Sequence, residues 1–190
     1  MKKIPTLFMR NYETDKLVRN EITPGCEWVI EGEGIATRKY DGMCCLVRNG
    51  KIYKRYELKE GKAVPENFEP TSEIDPITKK QQGWLIVRNC PEDQYFYKTF
   101  YETQLRVKDG TYELRGPKIN KNPEGFKSHI LIRHGKELID APRTFNELKK
   151  FFQKVNIEGI VWHNQDGRMV KIKSKDFGLK RLPLITYNLI

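Results

Sequence analysis

Three dipeptides, Asp41-Gly42, Asn49-Gly50 and Asp166-Gly167, each separate two strand-like apolar runs, and together they constrain the fold of this 190-residue chain most. Asn-Gly and Asp-Gly tolerate the left-handed backbone of a tight turn, so the flanking runs are expected to pair antiparallel. Ile35–Lys39 leads into Asp41-Gly42 and Met43–Val47 leads out as a buried strand. That puts Lys39 at the lip of a sheet, with Arg38 beside it and Asp41 two residues on. Asn49-Gly50 closes a hairpin into Lys51–Leu58, and Asp166-Gly167 turns Ile157–Trp162 into Arg168–Ile172.

Further strands are expected at Thr6–Met9, Glu27–Ile30, Trp84–Val87, the aromatic-rich Gln94–Thr103, Tyr112–Arg115 and His129–Arg133. Lys180–Ile190 is read as a last strand or a packed terminus. Asn11–Asn20 reads as a surface connection and Gly32-Glu33-Gly34 as a turn or bulge. Residues 59–83 carry Gly61, Pro65, Pro70 and Pro76 with little periodicity and read as a long ordered loop. The helix is Arg143–Val155: Thr144 and Glu147 form a capping-box pair, and Phe145, Leu148, Phe152 and Val155 share one face. Many hairpin-linked strands with few helices make an α+β fold of antiparallel sheets. The length suits a single domain spanning residues 1–190.

With 35 basic and 25 acidic residues the formal net charge is +10, which favours polyanionic partners such as a nucleic-acid backbone. No run is long and apolar enough to suggest a membrane helix, and Met1-Lys2-Lys3 precedes no signal-peptide core. A cytoplasmic, monomeric protein is the expectation. Cys26, Cys44, Cys45 and Cys90 lack C-x-x-C spacing, so neither a zinc site nor a disulfide framework is expected, and they read as small apolar residues in a reducing compartment. Adjacent Cys44 and Cys45 should face opposite sides of their strand.

The chemistry-bearing candidates begin with Lys39, since a lysine amine becomes a nucleophile when neighbouring cations or desolvation strip its proton. Arg38 is such a cation, and Asp41 is a candidate metal ligand. Arg55, Glu113 with Arg115, Glu158 with Gly159, and the Lys171-x-Lys173 pair each stand on a strand with an apolar opposite face. Taken singly, Lys39 is also consistent with a solvated hairpin turn, and the lysine pair with the wet face of an amphipathic strand. Glu158 resists that reading, because it places one charge in the apolar run Ile157–Trp162 and there needs a cation, a donor or a metal.

In order and spacing these elements resemble the motifs of the covalent nucleotidyltransferase superfamily of DNA ligases, RNA ligases and messenger-RNA capping enzymes. Lys39-Tyr40-Asp41-Gly42 matches the first motif, Arg55 a downstream arginine, Glu113-Leu114-Arg115-Gly116 the third, Glu158-Gly159-Ile160-Val161 the fourth and Lys171-Ile172-Lys173 the fifth. Within the superfamily the chain is most similar to a compact family of RNA ligases, with a vertebrate member, that join 5′-phosphate to 3′-hydroxyl ends. Lys39–Cys45, Ile119–Gly125, Leu131–Gly135 and Ile157–His163 are shared runs. The resemblance implies a ligase adenylation domain without an appended oligonucleotide-binding fold.

It also implies ATP as substrate, Mg²⁺ or Mn²⁺ as cofactor and RNA as partner, with lysyl-AMP and RNA-adenylate intermediates. Lys39 would carry the AMP, with Lys171 and Lys173 at the α-phosphate. Asp41 and Glu158 would hold the metal. Arg38, Arg55 and Glu113 would contact the nucleotide, and His134 or Trp84 would stack on its base. A capping-type guanylyltransferase using GTP and a non-catalytic basic RNA-binding module are the alternatives.

Overall fold

Alternating burial along the strands builds two separate hydrophobic cores. A computed structural model describes residues 3–103 and 106–181, which group into two compact units. One contains Ile4–Tyr40 and the residues from Gly135 onward; the other contains Lys3 and Asp41–His134.

The first unit is built on a three-stranded antiparallel sheet of β3 (Ile35–Lys39), β10 (Gly159–His163) and β11 (Met169–Lys173), with β10 in the centre. Ala36, Ile160, Trp162, Val170 and Ile172 form its buried face, packed with Leu148 and Phe152 of helix α3 (Phe145–Lys154). Full burial of each large apolar side chain stabilises the fold by about 1.5–3 kcal/mol. The Phe145 ring meets Phe8 and Phe177 edge-on, both at 5.1 Å between centroids, and so ties α3 to both ends of the chain. Thr144 precedes α3 in extended conformation as expected, but its hydroxyl donates to the Glu147 carboxylate at 2.6 Å and caps no backbone N–H.

Irregular segments protect both sheet edges. Leu7 N–H donates to Lys171 O at 2.8 Å and Lys171 N–H to Pro5 O at 2.9 Å. On the other side Arg38 N–H donates to Glu137 O at 2.9 Å and Ile139 N–H to Ala36 O at 3.1 Å. A two-stranded ribbon, β1 (Phe8–Arg10) with β2 (Val18–Ile22), completes the unit, so the last three residues of Asn11–Asn20 are strand.

Glu27–Ile30 is a helical turn, α1, and not the expected strand. Trp28 and Val29 are consecutive and both buried, which a two-sided strand with one wet face does not allow. Arg143 ties this helical turn to the glycine turn after it, donating to Val29 O at 2.8 Å and Gly34 O at 2.9 Å.

The second unit holds a six-stranded sheet in the order β6 (Glu69–Pro70), β7 (Lys80–Ile86), β5 (Lys51–Lys59), β4 (Met43–Arg48), β8 (Gly110–Arg115), β9 (Ile130–Arg133). The β4–β5 hairpin forms as expected, with Asn49 at φ 51° and Gly50 at φ 70°. Cys45 is buried and Cys44 faces the opposite side. The 59–83 stretch is less irregular than its composition suggests: β6 and the start of β7 lie within it.

Gln94–Thr103 is helix α2 and not a strand. Its buried residues are Phe96, Thr99 and Phe100, a helical i, i+3, i+4 spacing, and Pro91 with Glu92 and Asp93 starts the turn before it. The aromatic content favoured a strand, but the burial period decides. Fully buried Asp93 pairs with Lys54 and accepts from Arg88 N–H at 3.0 Å, fixing the start of α2 to β5.

Asp41-Gly42 is not a hairpin turn. β3 pairs with β10 while β4 pairs with β5 and β8, so Tyr40–Gly42 carries the chain from one sheet into another. Gly42 is needed for close approach, since a Cβ there meets Leu114 O at 2.4 Å and Glu113 Cγ at 2.6 Å. β10 begins at Gly159, so Glu158 stands just before the strand and not within it. Lys180–Ile190 lies outside the described residues from 182 on.

Asp176 is fully buried and joins three segments of the first unit. It pairs with Arg10 at 2.5 Å and accepts from Lys173 N–H at 2.9 Å. Breaking a buried pair by removing one partner costs about 3–5 kcal/mol. Asp176→Ala is therefore expected to lose stability of that order in urea unfolding; a wild-type midpoint would contradict this role.

Candidate active site

The strand register gathers the lysines. Across the sheet of the first unit, central Gly159 faces Lys39 on β3 and Lys173 on β11. Two residues along, Val161 faces Thr37 and Lys171. Side chains two apart share a face, so Lys39, Lys171, Lys173, Thr37 and His163 stand on the side opposite the core. Gly159 leaves the middle of the row bare, and a Cβ there would meet Ile172 O at 2.3 Å.

Glu158 fills the charge requirement of that row. Lys39 Nζ donates to its Oε2 at 2.6 Å, and Lys173 Nζ to its Oε1 at 2.5 Å. Lys39 Nζ also donates to Tyr40 O at 3.2 Å. Burial pushes the Glu158 carboxyl up, but the charges of Lys39 and then Lys173 outweigh it and hold the group below the usual range. Lys39 is thus paired with Glu158.

Thr37 Oγ1 donates to Val161 O at 3.1 Å and lies 2.9 Å from His163 Nε2. His163, to which the sequence assigned no role, thus stands beside Thr37 in the same row. Arg38 belongs to the opposite face of β3: its guanidinium pairs with Glu137 at 3.1 Å and lies 4.6 Å over the Tyr40 ring. It is not gathered with Lys39.

The remaining candidates lie in the second unit. One row runs across neighbouring strands there, with Trp84 opposite Arg55 and Cys44 opposite Glu113. Glu113 is buried; its Oε1 accepts from Gly42 N–H at 2.8 Å and its Oε2 from His134 Nε2 at 2.9 Å. Arg55 Nε donates to Gln82 Oε1 at 2.9 Å. Arg115 is fully buried and pairs with Glu124 at 2.5 Å. Trp84, with 5 % exposure, is a core residue of this unit, whereas the His134 side chain keeps 28 %.

Asp41 is held by a residue of the shared run Ile119–Gly125 to which the sequence assigned no role. Asn120 Nδ2 donates to Asp41 Oδ1 at 2.9 Å and to Gly42 O at 3.1 Å. Asn120, Lys121 and Asn122 are three successive left-handed residues, at φ 45°, 62° and 48°. Such a run is costly and persists only where its surroundings fix it. Buried Ile119 anchors one end, and Asn122 bonds Phe126 at the other through both its side-chain amide and carbonyl. The available signal was the Asn-Lys-Asn triplet, since Asn tolerates this conformation best after Gly.

Both carboxylates expected to hold a metal suit a hard cation chemically. Glu158 is kept ionised by its lysines, and Asp41 is oriented by Asn120.

Comparison with known proteins identifies the family. The sequence profile of RNA ligase 1 matches residues 75–188, a span that includes Glu113, Glu158, Lys171 and Lys173. The chain is 32% identical to RNA ligase 1 of Pongo abelii, over 76% of this chain and 67% of that protein. It is 24% identical to RNA ligase 1 of Rattus norvegicus, over 94% of this chain and 81% of that protein. The match to RNA ligase 1 of Danio rerio is 29% identical over 66% of this chain and spans 46% of that protein's length. With three-fifths of its residues inside the profile, the chain belongs to the RNA ligase 1 family.

Proposed function

We propose that this protein is an ATP-dependent RNA ligase that joins 5′-phosphate and 3′-hydroxyl ends through a lysyl-AMP intermediate. The observation that carries the reading is the row Lys39–Gly159–Lys173 with Glu158 bridging both amines. A purely RNA-binding surface gains nothing from locking two of its cations onto one half-buried carboxylate.

In the first step the Lys39 Nζ lone pair attacks the α-phosphorus of ATP. A P–N bond forms, the P–O bond to the β-phosphate breaks, and pyrophosphate leaves with that electron pair. Lys39 must first lose a proton. Glu158 opposes that loss, so its charge has to be taken up by other cations. Lys173 already holds one of its oxygens. Lys171, two residues away on the same face, supplies positive charge for the phosphate in the transition state.

Asp41 and Glu158 are the residues that would hold Mg²⁺ or Mn²⁺, which when bound neutralises phosphate charge. Glu113 and Arg55 are assigned to the nucleotide by resemblance, Glu113 as acceptor for a ribose hydroxyl. In the second step AMP passes to the RNA 5′-phosphate, and in the third the 3′-hydroxyl displaces AMP. The chain's net charge of +10 supports binding of the RNA backbone.

Incubation with ATP and Mg²⁺ is expected to add one AMP to the intact protein, with no GMP added from GTP. Lys39→Arg keeps a cation facing Glu158 but cannot act as a nucleophile, because guanidinium stays protonated. It should retain wild-type stability and form no adduct. An adduct on Lys39→Arg would end the proposal, and labelling by GTP alone would make the protein a guanylyltransferase.

Lys171→Ala is expected to block self-adenylylation at saturating ATP without RNA, and Lys173→Ala to slow it by roughly 10²–10³-fold, the cost of losing one transition-state donor. If both react normally and only salt-sensitive RNA binding weakens, the pair belongs to the RNA surface.

The Glu158 ion pairs also set an acid limit. Its folded carboxyl is held below the ordinary glutamate value of 4.5, so its stabilisation is complete above that pH. It is lost as the pH falls through the lowered value. Glu158→Gln should flatten the acid limb of the stability profile; an unchanged limb would show that the pairs contribute nothing.

A further inference from the structure

We propose that Cys44, Glu113 and His134 form a binding site for a thiophilic divalent cation of the zinc class. The three side chains come from β4, β8 and the residue after β9, neighbouring strands of the six-stranded sheet. Cys44 and Glu113 are direct cross-strand partners. One sulfur, one carboxylate oxygen and one imidazole nitrogen all lie within 4.8 Å of one another. Zinc bound tetrahedrally at about 2.0–2.3 Å spaces its ligands about 3.5 Å apart, so the trio needs only a small contraction.

The chemistry of the set favours zinc over magnesium. Magnesium takes oxygen and keeps its waters, whereas sulfur and imidazole select softer ions. A thiolate and a carboxylate together bring two negative charges to balance a divalent cation. Glu113 is buried, and among the described residues the Nδ1 of His134 is buried with no hydrogen-bond partner. The imidazole is therefore not saturated by its bond to Glu113. Three protein ligands leave a fourth position open, as in zinc sites that exchange a ligand.

Two features limit the affinity. Arg55 interacts with Cys44 and opposes a second cation, although Gln82 tethers its Nε at 2.9 Å. Burial, and then the charge of Glu113, push the Cys44 thiol up to about 11, with Arg55 acting the other way. Without metal the site thus holds a thiol, and binding transfers that proton to solvent. A bound ion would occupy Glu113, and on the proposed reading of Glu113 as a ribose acceptor it would act as an inhibitor.

The test uses Co²⁺ as a spectroscopic substitute for Zn²⁺, added to the full chain without nucleotide. Wild type is expected to show a near-ultraviolet thiolate-to-cobalt band at one equivalent, removed by stoichiometric Zn²⁺. Cys44→Ser should lose the band, and His134→Gln should weaken zinc binding at least ~10-fold in competition with a chromophoric chelator. Cys90→Ser and Lys39→Ala should keep both signals, and thermal melts without metal check that each variant is folded. Because no ATP is present, failure of lysyl-AMP formation leaves this outcome unaffected. No band in wild type, or a band that survives Cys44→Ser, overturns the site.

Discussion

Glu158 accepts from two ammonium groups at once, 2.6 Å from Lys39 and 2.5 Å from Lys173, and the chemistry of the first unit depends on this bridge. Two half-buried lysines in one row, on the strands either side of β10, repel each other, and removing them from water is costly in itself. One carboxylate between them offsets both costs and leaves the cluster with a net positive charge. That is the polarity a triphosphate needs. Gly159 makes the arrangement possible, because a side chain on the central strand would strike the β11 backbone at Ile172.

The bridge is held from both ends of the chain. Asp176 fixes the Lys173 backbone and reaches Arg10, while Pro5 and Leu7 bracket the Lys171 backbone. The Glu137–Ile139 segment does the same for β3 beside Lys39. Each lysine thus sits on a strand whose outer edge is already hydrogen-bonded, which fixes its place in the row. In the second unit the same logic applies to Asp41, held by Asn120, and to Glu113, held by Gly42 and His134.

Much of this was legible in the residues because short-range physics dictates it. Asn49-Gly50 required a hairpin, and alternation in Met169–Lys173 required two lysines facing away from Val170 and Ile172. Glu158 in an apolar setting required cations, and it has two. The misreadings arose where tertiary packing overrides local preference. The aromatics of Gln94–Thr103 favoured a strand until the Phe96, Thr99, Phe100 period is weighed. Asp41-Gly42 has hairpin chemistry, yet its glycine serves close packing against β8. Arg38 neighbours Lys39 in sequence and is turned from it by strand alternation. The pairings Asn120–Asp41 and His134–Glu113 link residues 79 and 21 positions apart, and no local pattern announces such contacts.

The central claim is that the amine facing Glu158 on β3, and no other lysine of the row, forms the bond to AMP. Peptide mapping by tandem mass spectrometry after reaction with ATP, under conditions that spare the acid-labile phosphoramide, tests it directly. The expected result is AMP on Lys39 alone. AMP on Lys171 or Lys173, with Lys39 unmodified, would contradict the account.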